Sequence, residues 1–382
     1  YLLNDLLKRD WGFDGVVVSD WGGVHDTKEA IFNGLDMEFG SWTNGLNWGQ
    51  SNAYDNYYLA HPYLNLIKKG EVTEKELNDK VRRILRLVFR TNMAKERHFG
   101  SFGTEEHALA GRTIAQQGIV LLQNKKNVLP VDASKVKRVL VVGENAVKRM
   151  TVGGGSSSLK AKYEVSPLEG IKARLGDGAE VIYSPGYASP AVKEQDVLGA
   201  EEPDKMEIDA DALRNDAVKW AKDADVVFFV GGLNKNDGQD CEGNDRSSLS
   251  LPYEQDQLIA ELAKANPNTV VVIISGNAVA MPWVKQVPAI VEAWYSGTEA
   301  GNALASILFG DVNPSGKLPF TFPARLEDNG AHALGEHPGD SINVKYNESI
   351  FVGYRWADKQ KKTKPLFAFG HGLSYTTFAY GK

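Results

Sequence analysis

The sequence predicts an α/β protein, and three observations carry that prediction. Short runs of β-branched residues, such as Val16-Val17-Val18 and Val226-Val227-Phe228-Phe229-Val230, are strand-sized and bounded by glycines. Segments with helical apolar spacing separate them, which is the alternation of a mostly parallel sheet. Acidic residues stand where the chain leaves two of those runs, at the C-terminal strand ends where chemistry collects in such folds.

Taken in order, Tyr1 to Arg9 reads as an amphipathic helix with no methionine and no signal-like segment ahead of it, so the chain is expected to begin inside a longer protein. The run Phe13 to Gly23 follows and is read as a buried parallel strand, with Asp20 and Trp21 at its exit. An aspartate there either caps the next helix or aims a charge into a cleft. Trp21 favours the cleft, because an acid beside a large aromatic suits a sugar, whose faces are apolar and whose ring gains positive charge as a glycosidic bond breaks. Thr27 to Asn33 is a helical run, and Gly34 turns the chain into a second short apolar segment. Ser41 to Tyr58, rich in Trp, Asn, Gly and Tyr, reads as a surface loop near a binding mouth. Two helices follow between His61 and Asn92, broken at Gly70 and restarted by a Thr73 cap, with Arg82, Arg83, Arg86 and Arg90 assigned to a solvated or salt-bridged face.

A boundary is placed after Gly103. Beyond it lie a helix from Thr104 to Gly118 and a strand from Ile119 to Gln123. Strands at Val136 to Val142, Glu180 to Ser184, Asp225 to Gly231, Thr269 to Ser275 and Ala289 to Trp294 then alternate with helices at Pro167 to Leu175, Ala210 to Ala224, Glu254 to Ala265 and Thr298 to Phe309. From Gly310 onward turns and short aromatic segments take over.

Composition narrows the function. The 382 residues carry 49 acidic and 43 basic side chains, a net charge of -6, with no basic patch of the kind that follows a phosphate backbone, so nucleic acid is not an expected partner. No apolar run approaches the roughly 20 residues of a membrane helix. The single cysteine, Cys241, excludes an internal disulfide and a cysteine-rich zinc site, and says nothing of compartment. The seven histidines are scattered singly, so neither a metal nor a cofactor is expected. Val142-Gly143-Glu144 lacks the spaced glycines of a dinucleotide loop and sets an acid where a phosphate would sit; Gly153-Gly154-Gly155-Ser156-Ser157-Ser158 lacks the Gly-Lys-Ser/Thr ending and is read instead as a loop lining a cleft.

The second acidic stretch, Asn234 to Arg246, is a long polar loop after the Asp225 to Gly232 strand. Asp237, Asp240, Glu242 and Asp245 each qualify by position, against the plainer reading of a solvated loop with Asp245 and Arg246 paired. A glycosidase needs a second carboxyl that stays protonated near neutral pH to supply the departing oxygen. Glu242 has the longer reach and is followed by a glycine.

Lys8 to Gly22, with its Gly12-Phe13-Asp14-Gly15-Val16-Val17-Val18-Ser19-Asp20-Trp21 core, resembles the nucleophile motif of glycoside hydrolase family 3. Asn33 to Glu38, Val120 to Asn124, Gly310 to Pro319, Ile350 to Arg355 and Phe369 to Tyr375 resemble further signatures of that family, in the same order. The resemblance implies that Asp20 is the nucleophile, Trp21 lines the sugar site and Glu242 is the acid/base. Asp245 and Arg246 would then shape the loop. It also implies residues 1–103 as the end of a (β/α)8 barrel with linker helices, 104–368 as an α/β sandwich domain, and 369–382 as the start of a fibronectin-III-like domain. The expected activity is retaining, exo-acting release of a terminal β-linked sugar, foremost glucose, from an oligosaccharide or glycoside. Retention needs two carboxyls roughly 5–5.5 Å apart. A xylosidase or arabinosidase of the same family, a non-catalytic carbohydrate-binding remnant, and the N-acetylglucosaminidase branch with a histidine donor are the other readings; Glu242 and the second domain speak against the last. A homodimer is compatible with the sequence. Because only what resemble the last two barrel strands are present, the stretch by itself is expected to be poorly stable or inactive.

Overall fold

The computed structural model describes residues 1–40, 53–91, 93, 99–157, 159–189, 209–235, 238–242, 245–340, 342–360, 364–379 and 381. They form two compact units, Tyr1–Ser101 and Phe102–Lys382. Most of the Ser41 to Tyr58 segment, read as a loop at a binding mouth, lies outside the described residues.

The first unit opens with a helical segment, Leu2–Asp10, whose backbone bonds include the i→i+5 pairs Leu6 N to Tyr1 O and Trp11 N to Leu6 O. Helix α1 (Thr27–Phe32) is capped by Asp26, whose carboxylate accepts from Glu29 N at 2.8 Å. Helices α2 (His61–Lys68) and α3 (Glu74–Thr91) follow. Lys80 of α3 is buried and donates to the carbonyls of Ala30, Ile31 and Leu35, so an ammonium closes the C-terminal end of α1.

The expected buried strand at Val16 to Ser19 needs correction. The structure forms a single parallel bridge, Val18 to Met37, and Val18 is 39% exposed. A parallel strand becomes buried when it has bonded neighbours on both sides and helices over both faces; here Val17 and Ser19 bond on one side only, to Asp36 and Met37. The buried carboxylate of Asp36 supports that pairing by accepting from Lys8 Nζ at 2.6 Å and Val17 N at 2.8 Å. Of the α3 arginines assigned to a solvated or salt-bridged face, Arg83 and Arg90 are ion-paired, with Asp79 and Asp14. Arg83 donates to the Phe13 and Gly15 carbonyls, Arg86 to the Asp14 carbonyl, and Arg90 pairs with the Asp14 carboxylate, so they clasp the chain just ahead of Asp20.

The second unit contains α4 (Glu105–Gly118), β1 (Val120–Asn124), β2 (Arg138–Val142), α5 (Pro167–Leu175), β3 (Glu180–Ser184), α6 (Ala210–Ala221), β4 (Val226–Gly232), α7 (Gln255–Ala265), β5 (Thr269–Ile274), β6 (Ala289–Glu292) and α8 (Ala300–Leu308). The six strands form one sheet in the order β1-β6-β5-β4-β2-β3, parallel except for β1, which runs antiparallel to β6. Alternate side chains of the central strands enter two separate cores. Val139, Val141, Phe228, Val230, Val270 and Val272 pack with α4, α5 and α8; Leu140, Val142, Val227, Phe229, Val271 and Ile273 pack with α6 and α7. This makes a three-layer α/β/α arrangement. Where α5 meets α8 two glycines are required by contact alone: a Cβ on Gly170 would lie 2.1 Å from Gly301 O, and one on Gly301 would lie 2.0 Å from Ser166 O.

The C-terminal segment lies on this same unit. Leu373 bridges antiparallel to Leu121, Phe367 to Phe322, and the Tyr375 hydroxyl donates to Ile307 O at 2.7 Å.

Candidate active site

Asp20 is exposed, at the exit from the Val18–Met37 bridge. Its carboxylate accepts from Trp21 N at 2.7 Å, its carbonyl accepts from Gly23 N at 3.1 Å, and Gly22 adopts φ +70° to complete the turn. Asp26, not Asp20, caps the helix that follows, so the capping role is filled and the Asp20 carboxylate is presented to solvent. Trp21 stands 65% exposed and stacks on Phe39, ring centroids 5.0 Å apart and 24° between planes. An open indole face supported from behind beside a free carboxylate suits the apolar face of a sugar ring. Ser19 ties the pair together, its hydroxyl accepting from Phe39 N at 2.9 Å.

Glu242 belongs to the second unit and is also exposed, on the loop that follows β4. The triple-glycine loop is packed directly on it. Gly154 pairs with Cys241 through a parallel bridge, and Gly155, at φ +84°, comes so near that a Cβ would fall 2.4 Å from Glu242 Cβ. Glycine is the residue that combines that backbone conformation with that approach. The expectation that these glycines line a cleft holds: Gly153, Gly154 and Ser157 form one wall of a cavity of about 490 Å³. Its other walls include Asp240, Asp245, Arg246, Asn277, His332 and His337.

Of the four acids in that loop, Asp237 lies outside the described residues and the other three have distinct surroundings. Asp245 does not pair with Arg246; it lies 3.4 Å from His337 Nε2. Arg246 instead donates through Nη2 to Asn277 and to Ala278 O, while its Nη1 is buried with no hydrogen-bond partner among the described residues. Burial pulls the Arg246 pKa down and the nearby Asp240 charge opposes that pull.

Asp240 was not distinguishable from its neighbours in sequence, yet it is the hub of the loop. It accepts from Gly276 N at 2.6 Å, Asn277 Nδ2 at 2.6 Å and the Tyr295 hydroxyl at 3.0 Å. Burial, then the Asp240 charge, push the Tyr295 phenol far above its ordinary range, so it stays a donor. Beneath them Glu292, at the end of β6, is fully buried and accepts weakly from Ser275 Oγ and Trp294 N. Burial pushes its carboxyl well above the ordinary range, so it is neutral where other glutamates are charged. Among the described residues no cluster of histidine, cysteine and acidic side chains has the makings of a metal site.

Residues 119–375 match the glycosyl hydrolase family 3 C-terminal domain, and residues 1–87 match the N-terminal domain of the same family. The chain belongs to glycoside hydrolase family 3. Among family members, β-glucosidase BoGH3A of Bacteroides ovatus is 52% identical across 100% of this chain and 51% of its own length. Thermostable β-glucosidase B of Acetivibrio thermocellus is 36% identical across 100% of this chain and 46% of its own. The chain thus spans about half the length of these curated relatives. The crystal structure of DesR, a β-glucosidase from Streptomyces venezuelae in complex with D-glucose, superposes with a TM-score of 0.84 at 30% identity, covering 99% of this chain and 59% of that one.

Proposed function

We propose that the protein carrying this chain is a retaining exo-β-glycosidase that releases terminal glucose from an oligosaccharide or glycoside. The observation that carries the reading is a pair of exposed carboxylates, Asp20 and Glu242, each on a loop leaving the C-terminal end of a strand-like segment, in a chain 52% identical to a β-glucosidase. In this reading Asp20 is the nucleophile and Glu242 the acid/base. Asp20 attacks the anomeric carbon as Glu242 protonates the departing oxygen, leaving a glycosyl ester on Asp20; Glu242, now the base, takes a proton from the water that releases the sugar. Trp21 receives the ring face. The first unit is then the end of a (β/α)8 barrel, 104–368 the sandwich domain, and the segment from Phe369 leads into a fibronectin-III-like domain.

The test uses the complete protein. Asp20→Gly is expected to abolish turnover of nitrophenyl and alkyl glucosides alike. Glu242→Ala is expected to slow alkyl glucosides by about 10²–10⁴-fold while sparing the bond-breaking step of dinitrophenyl glucosides, with azide restoring part of the turnover. Equal loss on every leaving group would contradict the role of Glu242. A panel of nitrophenyl glucosides, xylosides and arabinosides reads out the sugar.

A further inference from the structure

We propose that Asp240 is the positioning residue of the proton donor: it fixes the arm that carries Glu242 onto the ends of β5 and β6. The proposal rests on the assignment of Glu242 as acid/base and deepens it.

Asp240 lies two residues before Glu242, and both its backbone and its side chain are held. Its N–H donates to Asn234 O at 3.0 Å, and its carbonyl accepts from Gly154 N at 2.9 Å. The carboxylate then takes three donors from two other strand ends: Gly276 N and Asn277 Nδ2 just after β5, and the Tyr295 hydroxyl after β6. Gln239 secures the neighbouring turn, accepting from Asn234 N at 2.9 Å and donating to the Tyr253 hydroxyl at 2.8 Å.

Arg246 approaches from the same loop, so the Asp240 side chain sits beside a guanidinium and accepts from three donors. Each partner is on rigid secondary structure or next to it, whereas Glu242 itself is exposed. An exposed catalytic acid on a long loop loses efficiency steeply when displaced by an ångström, because proton transfer requires hydrogen-bond distance to the leaving oxygen. The fixed point two residues away limits that displacement. In this role Asp240 acts through Glu242.

The experiment compares Asp240→Ala, Asp240→Asn and Glu242→Ala in the complete protein, on an alkyl β-glucoside and a dinitrophenyl β-glucoside, with and without azide. Asp240→Ala is expected to lower kcat on the alkyl glucoside about tenfold or more with KM little changed. Cleavage of the dinitrophenyl glucoside should change much less, and azide should raise its turnover. Asp240→Asn keeps an acceptor for Gly276 N and should fall between Ala and native, which also serves if Asp240→Ala fails to fold. If Glu242→Ala shows the leaving-group split and both Asp240 variants slow the two substrates equally or not at all, the positioning role is wrong. If Glu242→Ala itself shows no split, the fault lies in the acid/base assignment.

Discussion

At the scale of single residues, burial shifts one carboxyl beneath the Asp240 loop. Glu292 is fully buried, and burial pushes its pKa well above the ordinary carboxylate range. The folded chain therefore retains a proton that the unfolded chain releases. This contribution to stability is complete below the unfolded value and is lost as pH rises through the folded one. Glu292→Gln, a neutral group of the same shape, should escape that loss. Denaturant unfolding of variant and native protein between about pH 5 and about pH 8 is expected to show the gap moving in the variant's favour by up to about 1.4 kcal/mol per pH unit; parallel profiles would contradict a neutral Glu292. Asp20 is singled out in sequence by the apolar run before it and the tryptophan after it, whereas Glu242 shares its position with three other acids and is separated from them only by its reach, the glycine that follows and the family resemblance. Asp240 is not singled out, since Gly276, Asn277 and Tyr295 lie 36 to 55 positions away and nothing local predicts their convergence. Asp245 and Arg246 look like a pair because they are adjacent, yet each finds a better partner across the cleft wall.

At the scale of elements, the strands and helices of the second unit were legible because each carries its own signals. Helix α5 shows this most fully. Ser166 and Glu169 form a reciprocal cap, with Pro167 at the first helical position, and the Ser166 N–H holds the Glu169 carboxyl below its usual range. Ser166→Ala is expected to cost about 1 kcal/mol, read as a lower midpoint in denaturant; an unchanged midpoint would mean that the α5–α8 contact alone sets the end of the helix. Tertiary context decided what sequence periodicity left open. An apolar run such as Val16-Val17-Val18 has the composition of a buried strand, but burial depends on neighbours, and it pairs on one side only. The direction of β1 was likewise unreadable, because Val120 to Asn124 is equally apolar in either orientation. The arginine row on α3 has the spacing of a solvated face, and its reach to the carbonyls of Phe13, Asp14 and Gly15, 68 to 72 positions away, is a property of the folded unit.

At the scale of the whole molecule, the order of motifs along the chain identified the family, and both halves of that order are matched by its two domain profiles. Asp20 lies in the first compact unit and Glu242 in the second, so the two proposed catalytic carboxylates are far apart along the chain. The account stands on the first of them becoming covalently attached to sugar. The most direct measurement is to treat the complete protein with a 2-deoxy-2-fluoro-β-glucoside bearing a good leaving group, then locate the added mass by peptide mapping. One fluorosugar per chain, esterified to Asp20 and lost in Asp20→Gly, is the predicted result. No covalent adduct, or an adduct on any other carboxylate, would contradict it.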